Sequence, residues 1–591
     1  MNHTDLVARA RDWAAHDPDP RTRAELLALV ALAETGDAAG DADDATSAIG
    51  GERSARDALA ELASRFSGPL QFGTAGLRGA VAAGESRMNV AVVIRATAGL
   101  ARYLLDTVGP GARVVIGCDA RHGSSEFMDA AAEVLAASGA EVRTLPKRLP
   151  TPITAYAVRA LDCDAGVMIT ASHNPPADNG YKVYLGGRLT DEDGRGVQIV
   201  PPADADIAAR IAAAPPADEV PRSREGIVPT GDGVVRDYVA RAGSLRGRGE
   251  DAAADSGDSG GSGGSGVRIV LTPMHGVGGE TAERALHEAG FPDVHLVPKQ
   301  ADPDPNFPTV SFPNPEEPGA IDLSIELAEE LDATVVVALD PDADRCSVAI
   351  PLRDGGWRQL TGDEIGAILG EQAAADPARS GGTLACSVVS SRLLGRIAAA
   401  HGLRSAATLT GFKWIARTPD IRFGYEEAIG YCTDPEAVHD KDGVTAAVRV
   451  ATLADDLAAQ DRTIEDLLDD LARRHGLYAT AQLSFRVADV SLIADGMARL
   501  RANGIDSLAG SPVVETRDLA QGSADLPPTD GLMYVTAADD RVIARPSGTE
   551  PKLKCYLEVV LPVGDDGVIP RAAAAERLTR IKADMTAALG F

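Results

Sequence analysis

The feature that most constrains this chain is a rhythm. From about residue 90, short apolar runs that read as strands alternate with longer runs of helical periodicity. AVVIRATAGLARYLLDTV reads as a helix, ARVVIGCD as a buried strand, SSEFMDAAAEVLAASG as a helix, AEVRTLP as a strand, TPITAYAVRAL as a helix and AGVMITA as a strand. Such alternation packs as α/β layers around a largely parallel sheet. It restarts twice. VRIVLTP, GVGGETAERALHEAG, VHLVP, IDLSIELAEELD and ATVVVALD form one repeat of the pattern. RCSVAIPL, TGDEIGAILGEQAAAD, TLACSVVSS, SRLLGRIAAAHG and SAATLTG form another. The similarity is one of architecture; no residue-level repeat is visible.

Both ends break the rhythm. Residues 1–66 read as helices (DLVARARDW, RTRAELLALVALAE, SARDALAELASRF) interrupted by an acidic, Gly-rich loop over 35–51. Past TIEDLLDDLARRHG, short strands (LSFRV, VIARP, KLKCYLEVV) and a final helix, RAAAAERLTRIKADMTAAL, predict a smaller α+β unit. The Gly/Ser stretch 251–266 reads as a flexible loop. These breaks place units at 1–222, 223–346, 347–479 and 480–591.

Charge narrows the partners. With 57 basic and 87 acidic residues the net charge is −30, the wrong sign for a general nucleic-acid binder. A site for an anion must therefore gather Arg, Lys or a metal locally. The six cysteines are scattered without a CxxC, as expected of reduced thiols. No apolar run reaches membrane-spanning length and no signal peptide is evident, so a cytoplasmic protein is expected.

Four motifs carry chemistry. In DPDADR (340–345), Asp340, Asp342 and Asp344 follow a buried strand and can converge oxygens on a hard cation. An EF-hand is excluded, because Arg345 stands at the sixth position and Pro351 at the twelfth. In TASHNPPADNGYK, Ser172 lies at a strand end; the surrounding residues fit neither GxSxG nor SxxK. A phosphoserine whose phosphate touches the metal is chemically sensible. ARPSGTEPK (544–552) offers a guanidinium, two hydroxyls and a glycine, the residue types of a phosphate cradle. GYEEAIGY (424–431) and VHDKDG (438–443) offer carboxylates for sugar hydroxyls and Lys441 for a phosphate. FGTAGLRG (72–79) lacks the Lys-Ser/Thr of a nucleotide loop, and HGVGGET has Thr281 where a dinucleotide fingerprint needs Gly, so each reads alone as a turn. Solvated turns would explain several of these stretches taken singly.

Together they resemble the α-D-phosphohexomutase family of phosphoglucomutases and phosphomannomutases. TASHNPPADNGYK is similar to its serine loop, DPDADR to its metal loop, GYEEAIGY to its sugar loop and RPSGTEPK to its phosphate loop, in the family's order. FGTAGLRG and TGFKWI (410–415) add to the match, which runs from about residue 55 to the C-terminus and is closest to the longer phosphoglucomutase and phosphopentomutase branch. The resemblance implies four domains around a central cleft, three similar α/β domains with mixed sheets and a smaller C-terminal α+β domain. It implies that Ser172 is phosphorylated and that Asp340, Asp342 and Asp344, with the phosphoserine, hold Mg²⁺. It implies that Arg78 and Lys182 assist at the phosphoserine, and that Arg345, Thr410, Gly411 and Glu426 line the sugar site. Lys441, Arg545, Ser547, Gly548 and Thr549 would grip the phosphate that is not transferred, with Lys552 or Lys554 nearby. One departure concerns Ala428, where many members carry Ser.

The implied activity is a reversible phosphate shift between C1 and C6 of a hexose phosphate, glucose before mannose. It passes through a bisphosphorylated sugar, with glucose 1,6-bisphosphate as activator. The alternatives are a phosphopentomutase, a sugar-bisphosphate synthase, a metal-dependent sugar phosphatase and a non-catalytic sugar-phosphate sensor. A small sugar phosphate is the expected partner, without nucleic acid or membrane; oligomeric state is not legible.

Overall fold

A computed structural model describes residues 2–38, 54–247, 265–487, 489, 491–524, 526–546 and 552–590. Four sheets follow one another along the chain. The first is ordered Leu77–Ala80, Asp178–Leu185, Ala165–Ile169, Arg113–Cys118, Glu141–Thr144, Ile227–Pro229, with Val197–Gln198 on Asp178–Leu185. Its centre is parallel, and Asp178–Leu185 runs antiparallel. The second is Trp357–Gln359, Cys346–Pro351, Val335–Leu339, Ile269–Thr272, Val294–Leu296, and the third is Arg404–Thr408, Thr383–Ser387, Ile421–Glu426, Gly430–Cys432. Both pair a parallel centre with antiparallel strands at one side. The fourth, from Leu477–Arg486 through Lys552–Leu561 and Arg541–Pro546 to Leu532–Thr536 and Ser511–Asp518, is antiparallel throughout.

The alternation predicted the first three sheets because their central strands are buried on both faces. Val335–Leu339, Ala165–Ile169 and Thr383–Ser387 are fully buried along their length, as sheets covered by helices on both sides require. Each buried Val, Leu or Ile there contributes about 1.5–3 kcal/mol. A charge at Val337, in the middle of the second sheet, would forfeit that and bury an unpaired carboxylate.

The unit boundaries read from the sequence need correction. The strand Ile227–Pro229 pairs with Glu141–Thr144, so the first sheet extends past 222. The break at 346 falls at the start of Cys346–Pro351, which pairs with Val335–Leu339; the second sheet ends at Gln359. Strand pairing is long-range, and the rhythm could not show which neighbour a strand chooses. The break at 479 likewise divides one strand, Leu477–Arg486. At the N-terminus the helix Pro20–Ala38 continues beyond the expected loop start at 35. Most of the 35–51 and 251–266 stretches lies outside the described residues. The N-terminal helices pack through Leu26, Leu62 and Phe66 onto Ala83, and Arg65 is buried against Glu61 and Glu25. No helix among the described residues is long and apolar enough to cross a membrane.

One topological fact positions the site. In each of the first three sheets the sequence motif is the connection between two adjacent antiparallel strands. Residues 170–177 join Ala165–Ile169 to Asp178–Leu185. Residues 340–345 join Val335–Leu339 to Cys346–Pro351. Residues 427–429 join Ile421–Glu426 to Gly430–Cys432. The fourth motif stands between the paired strands Arg541–Pro546 and Lys552–Leu561.

Candidate active site

The serine and metal motifs meet across the first two domains. Ser172 is buried and adopts a left-handed backbone (φ 52°), rare for a residue with a side chain. Its hydroxyl donates to Asp340 Oδ2 at 2.8 Å and lies 3.3 Å from His173 Nδ1. Its amide donates to Thr170 Oγ1 at 2.9 Å. The backbone conformation is held from outside the loop. Arg121, buried, donates to the carbonyls of Ser172 (2.6 Å), Asn174 (2.6 Å), Pro175 (2.9 Å) and Asp178 (3.1 Å). Its guanidinium also lies over the Phe307 ring of the second domain, 5.0 Å from the centroid.

The three aspartates are fully buried and converge. One carboxylate oxygen from each lies within 4.8 Å of the others. Lys182 Nζ donates to Asp342 (2.8 Å) and Asp344 (3.0 Å), and Lys441 Nζ lies 3.0 Å from Asp344. Thr151 Oγ1 donates to Asp342 at 2.6 Å, and the Arg345 amide to Asp340 Oδ1 at 3.0 Å. Burial raises the proton affinity of Asp340 well above the ordinary carboxylate range, and Asp342 and Asp344 add to the shift by repulsion. Burial presses Asp342 and Asp344 the same way, but the adjacent Lys182 reverses it, with Lys441 helping at Asp344. The two lysines are held charged in return: burial works against them and the carboxylates prevail.

This donor set fits a hard divalent cation. Asp342 Oδ1 and Asp344 Oδ1 are buried with no hydrogen-bond partner among the described residues. An all-oxygen set on a tight turn suits Mg²⁺ better than zinc. The turn is braced from both sides. A Cβ at Gly276 would come within 2.4 Å of Pro341 Cα, and one at Gly443 within 2.4 Å of the Arg345 carbonyl. HGVGGET is thus a strand-to-helix turn, as expected, pressed against the metal motif.

Arg78 enters from the edge strand Leu77–Ala80, opposite Gly180. Burial lowers its affinity for its proton, while Asp342 and Asp344 raise it. Arg345 donates to the Ala428 carbonyl at 2.9 Å, and its guanidinium is 3.8 Å from Asp344. It therefore ties the metal motif to the sugar motif, which also meet in a backbone bridge at Gly430. Glu426 ends its strand half-buried, and Thr410 and Gly411 are half-buried before the short helix Phe412–Ile415. Arg545 donates to Thr410 Oγ1, bringing the fourth domain to the third. Ser547, Gly548 and Thr549 lie outside the described residues.

The structure thus gathers Ser172, Arg78, Lys182, Asp340, Asp342, Asp344, Arg345 and Lys441 around one center, with Glu426, Thr410, Gly411 and Arg545 on the adjoining wall. Sequence reasoning missed Arg121, although CDARHG follows directly on the strand Arg113–Cys118, where α/β sheets present functional groups. It also missed Thr151 and the part Glu427 plays. Glu427, not Glu426, is the buried member of the pair: it accepts from Ser387 (2.8 Å) and Ser390 (3.0 Å). Burial raises its pKa to about 7, with repulsion from Glu426.

Comparison with known proteins matches this chain over most of its length. The models of phosphoglucomutase/phosphomannomutase α/β/α domains I, II and III match residues 69–216, 253–353 and 361–475. A Haemophilus influenzae protein named "Probable phosphomannomutase" is 43% identical over 473 residues, covering 80% of this chain and 93% of that one. The phosphopentomutase of Mus musculus is 35% identical, covering 85% of this chain and 86% of its own. The crystal structure of pp63/parafusin, a phosphoglucomutase from Paramecium, superposes with a TM-score of 0.65 at 18% identity, over 89% of this chain and 96% of that one, and so matches in fold.

Proposed function

The chain belongs to the phosphoglucomutase/phosphomannomutase (α-D-phosphohexomutase) family and is a sugar-phosphate mutase; from that premise we propose that it moves phosphate reversibly between the anomeric and primary hydroxyls of a hexose, glucose 1-phosphate and glucose 6-phosphate first. The observation that carries this reading is the 2.8 Å contact of Ser172 Oγ with Asp340, inside a buried carboxylate cluster flanked by two lysines.

In this mechanism Ser172 carries a phosphoryl group. The free hydroxyl of the bound sugar phosphate attacks it, a P–O bond to the sugar forms, and the bond to Ser172 Oγ breaks. Arg78 and Lys182 sit where charge collects; Lys182, held charged by Asp342 and Asp344, passes a proton to the departing serine oxygen and is recharged by the proton that the attacking hydroxyl sheds. Mg²⁺ bound by Asp340, Asp342, Asp344 and a phosphoserine oxygen would draw charge from the transferring group. The resulting sugar bisphosphate turns end for end and returns its other phosphate to Ser172, which is why glucose 1,6-bisphosphate would activate the enzyme. Lys441 and Arg545, with Ser547, Gly548 and Thr549, hold the stationary phosphate. Arg345, Thr410, Gly411 and Glu426 hold the sugar. The burial of Ser172 keeps water from the phosphoserine.

A second reading, a pentose mutase, is favoured by Ala428, whose methyl group replaces a hydroxyl in the sugar loop, and by the phosphopentomutase relative. One experiment separates the readings. The enzyme is incubated with Mg²⁺, a trace of glucose 1,6-bisphosphate and glucose 1-phosphate, mannose 1-phosphate or ribose 1-phosphate, and phosphorus resonances are followed. Conversion to the 6-phosphates supports the hexose mutase; conversion of ribose 1-phosphate alone supports the pentose mutase. Inorganic phosphate would mean a phosphatase, and no change in any tube would overturn the mutase reading.

A further inference from the structure

A short segment of the third domain, residues 388–392, is held by the fourth domain on one side and holds the sugar loop on the other. On the fourth-domain side, Arg541 donates to the carbonyls of Val388 (3.0 Å) and Ser390 (2.5 Å). Glu558 accepts from Ser391 Oγ (2.8 Å), the Arg392 amide (2.8 Å) and Arg392 Nε (2.5 Å). Val389 is buried among Leu519, Met533, Ile543 and Tyr556 of the fourth domain. On the sugar-loop side, Ser390 Oγ donates to the Glu427 carboxylate at 3.0 Å and accepts from the Glu427 amide at 3.1 Å. Ser387 Oγ donates to the same carboxylate oxygen at 2.8 Å. Arg541, Ser390, Glu427 and Glu558 are all buried.

We propose that Arg541 and Ser390 are positioning residues that make the sugar loop's grip depend on docking of the fourth domain. The strand Arg541–Pro546 that carries Arg541 also delivers Arg545 and leads to the phosphate motif. A domain seated on the phosphate end of the substrate thereby fixes the 388–390 backbone. Ser390 then fixes Glu427 and, through the next peptide, Glu426 on the sugar. With the domain undocked, the Ser390 carbonyl loses its Arg541 anchor, and the brace on the sugar loop falls back on Ser387 and the contacts within the third domain. Two grips on opposite ends of the substrate then close as one. The proposal rests on the mutase reading for the identity of the ligand. The contacts themselves do not depend on it.

The test is a double-mutant cycle on the full-length enzyme with glucose 1-phosphate, with wild-type turnover measured alongside. If wild type turns over no sugar phosphate, the functional reading fails and the relay is tested instead by calorimetric binding of glucose 6-phosphate to the same variants. Arg541→Met is expected to raise KM about 10-fold and Ser390→Ala about 3-fold, with kcat changed less than about 2-fold in each. Because both act through Glu427, the double variant should sit near 10-fold rather than near the 30-fold product of independent effects. Arg541→Lys, which retains one donor, should recover part of the loss. If Arg541→Met fails to fold, Arg541→Lys takes its place in the cycle. A multiplicative double variant, or losses confined to kcat, would overturn the relay.

Discussion

The two halves of the cleft are built on opposite principles. On the serine–metal side the reacting groups are dry and locked. Ser172, Lys182 and the three aspartates are at most 2% exposed, and each aspartate accepts a hydrogen bond from another motif or domain. On the sugar side Glu426, Thr410 and Gly411 are half-buried, and the fourth domain reaches them through Arg545 and the 388–392 segment. In the proposed mechanism the first half holds a charged group in one geometry and excludes water, which demands burial and fixed charged partners. In the proposed mechanism the second admits a polar sugar in two orientations, which demands groups that water can also satisfy.

The largest expected effect breaks the dry half directly. Ser172→Ala should lower turnover by on the order of 10⁴-fold or more with the thermal transition unchanged, measured by phosphorus resonances and circular dichroism. Wild-type turnover in that variant would end the assignment. Lys182→Met leaves the buried Asp342 without its cation, and Asp344 with Lys441 and Arg345 only, and should destabilise the metal-free protein by about 3–5 kcal/mol, read by denaturant unfolding in chelator. Millimolar Mg²⁺ should restore much of that loss, and a variant as stable as wild type in chelator would show that the lysine is not the counter-ion. Arg121→Met releases four carbonyls of the serine loop and should cost about 10²-fold in kcat with KM nearly constant, since it misplaces the serine without touching the sugar.

Smaller effects belong to the open half. Glu427 has a pKa raised from 4.5 to about 7 by burial, so between those values the folded protein retains a proton that the unfolded chain has lost. That contribution to stability is present at low pH and declines as pH rises from about 4.5 through 7. In Glu427→Gln it vanishes, and the variant's stability relative to wild type should rise with pH across that window in parallel unfolding curves. A difference independent of pH would mean the carboxyl is charged throughout. The smallest change is expected from Ala428→Ser, which returns a hydroxyl to the sugar loop and should shift the hexose-to-pentose ratio of kcat/KM by less than about 10-fold.

Much of the dry half was legible in the sequence. A fully buried strand reads as an apolar run, so the ends of AGVMI and ATVVVAL announced where Ser172 and DPDADR would project. Three carboxylates two residues apart predict convergence because a tight turn leaves them nowhere else to point. Arg121 was not legible as a clamp, because its partners are backbone carbonyls 51 to 57 residues away and leave no mark in residue types. The same holds for Glu427. Adjacent glutamates look alike in sequence, and only the serines at 387 and 390 decide that one is buried while the other stays half-exposed.

The sequence by itself determined the layered α/β architecture, the order of the four motifs and the residue types, a serine and three aspartates, that the fold gathers. Those follow from local rules, from hydrophobic periodicity and from the residue types a hard cation or a phosphate requires. Tertiary structure alone decided where one sheet ends and the next begins, which lysine neutralises which aspartate, and how the fourth domain reaches the sugar loop. Strand pairing and buried ion pairs join residues far apart in the chain, and their energy depends on distance and burial that no local pattern encodes.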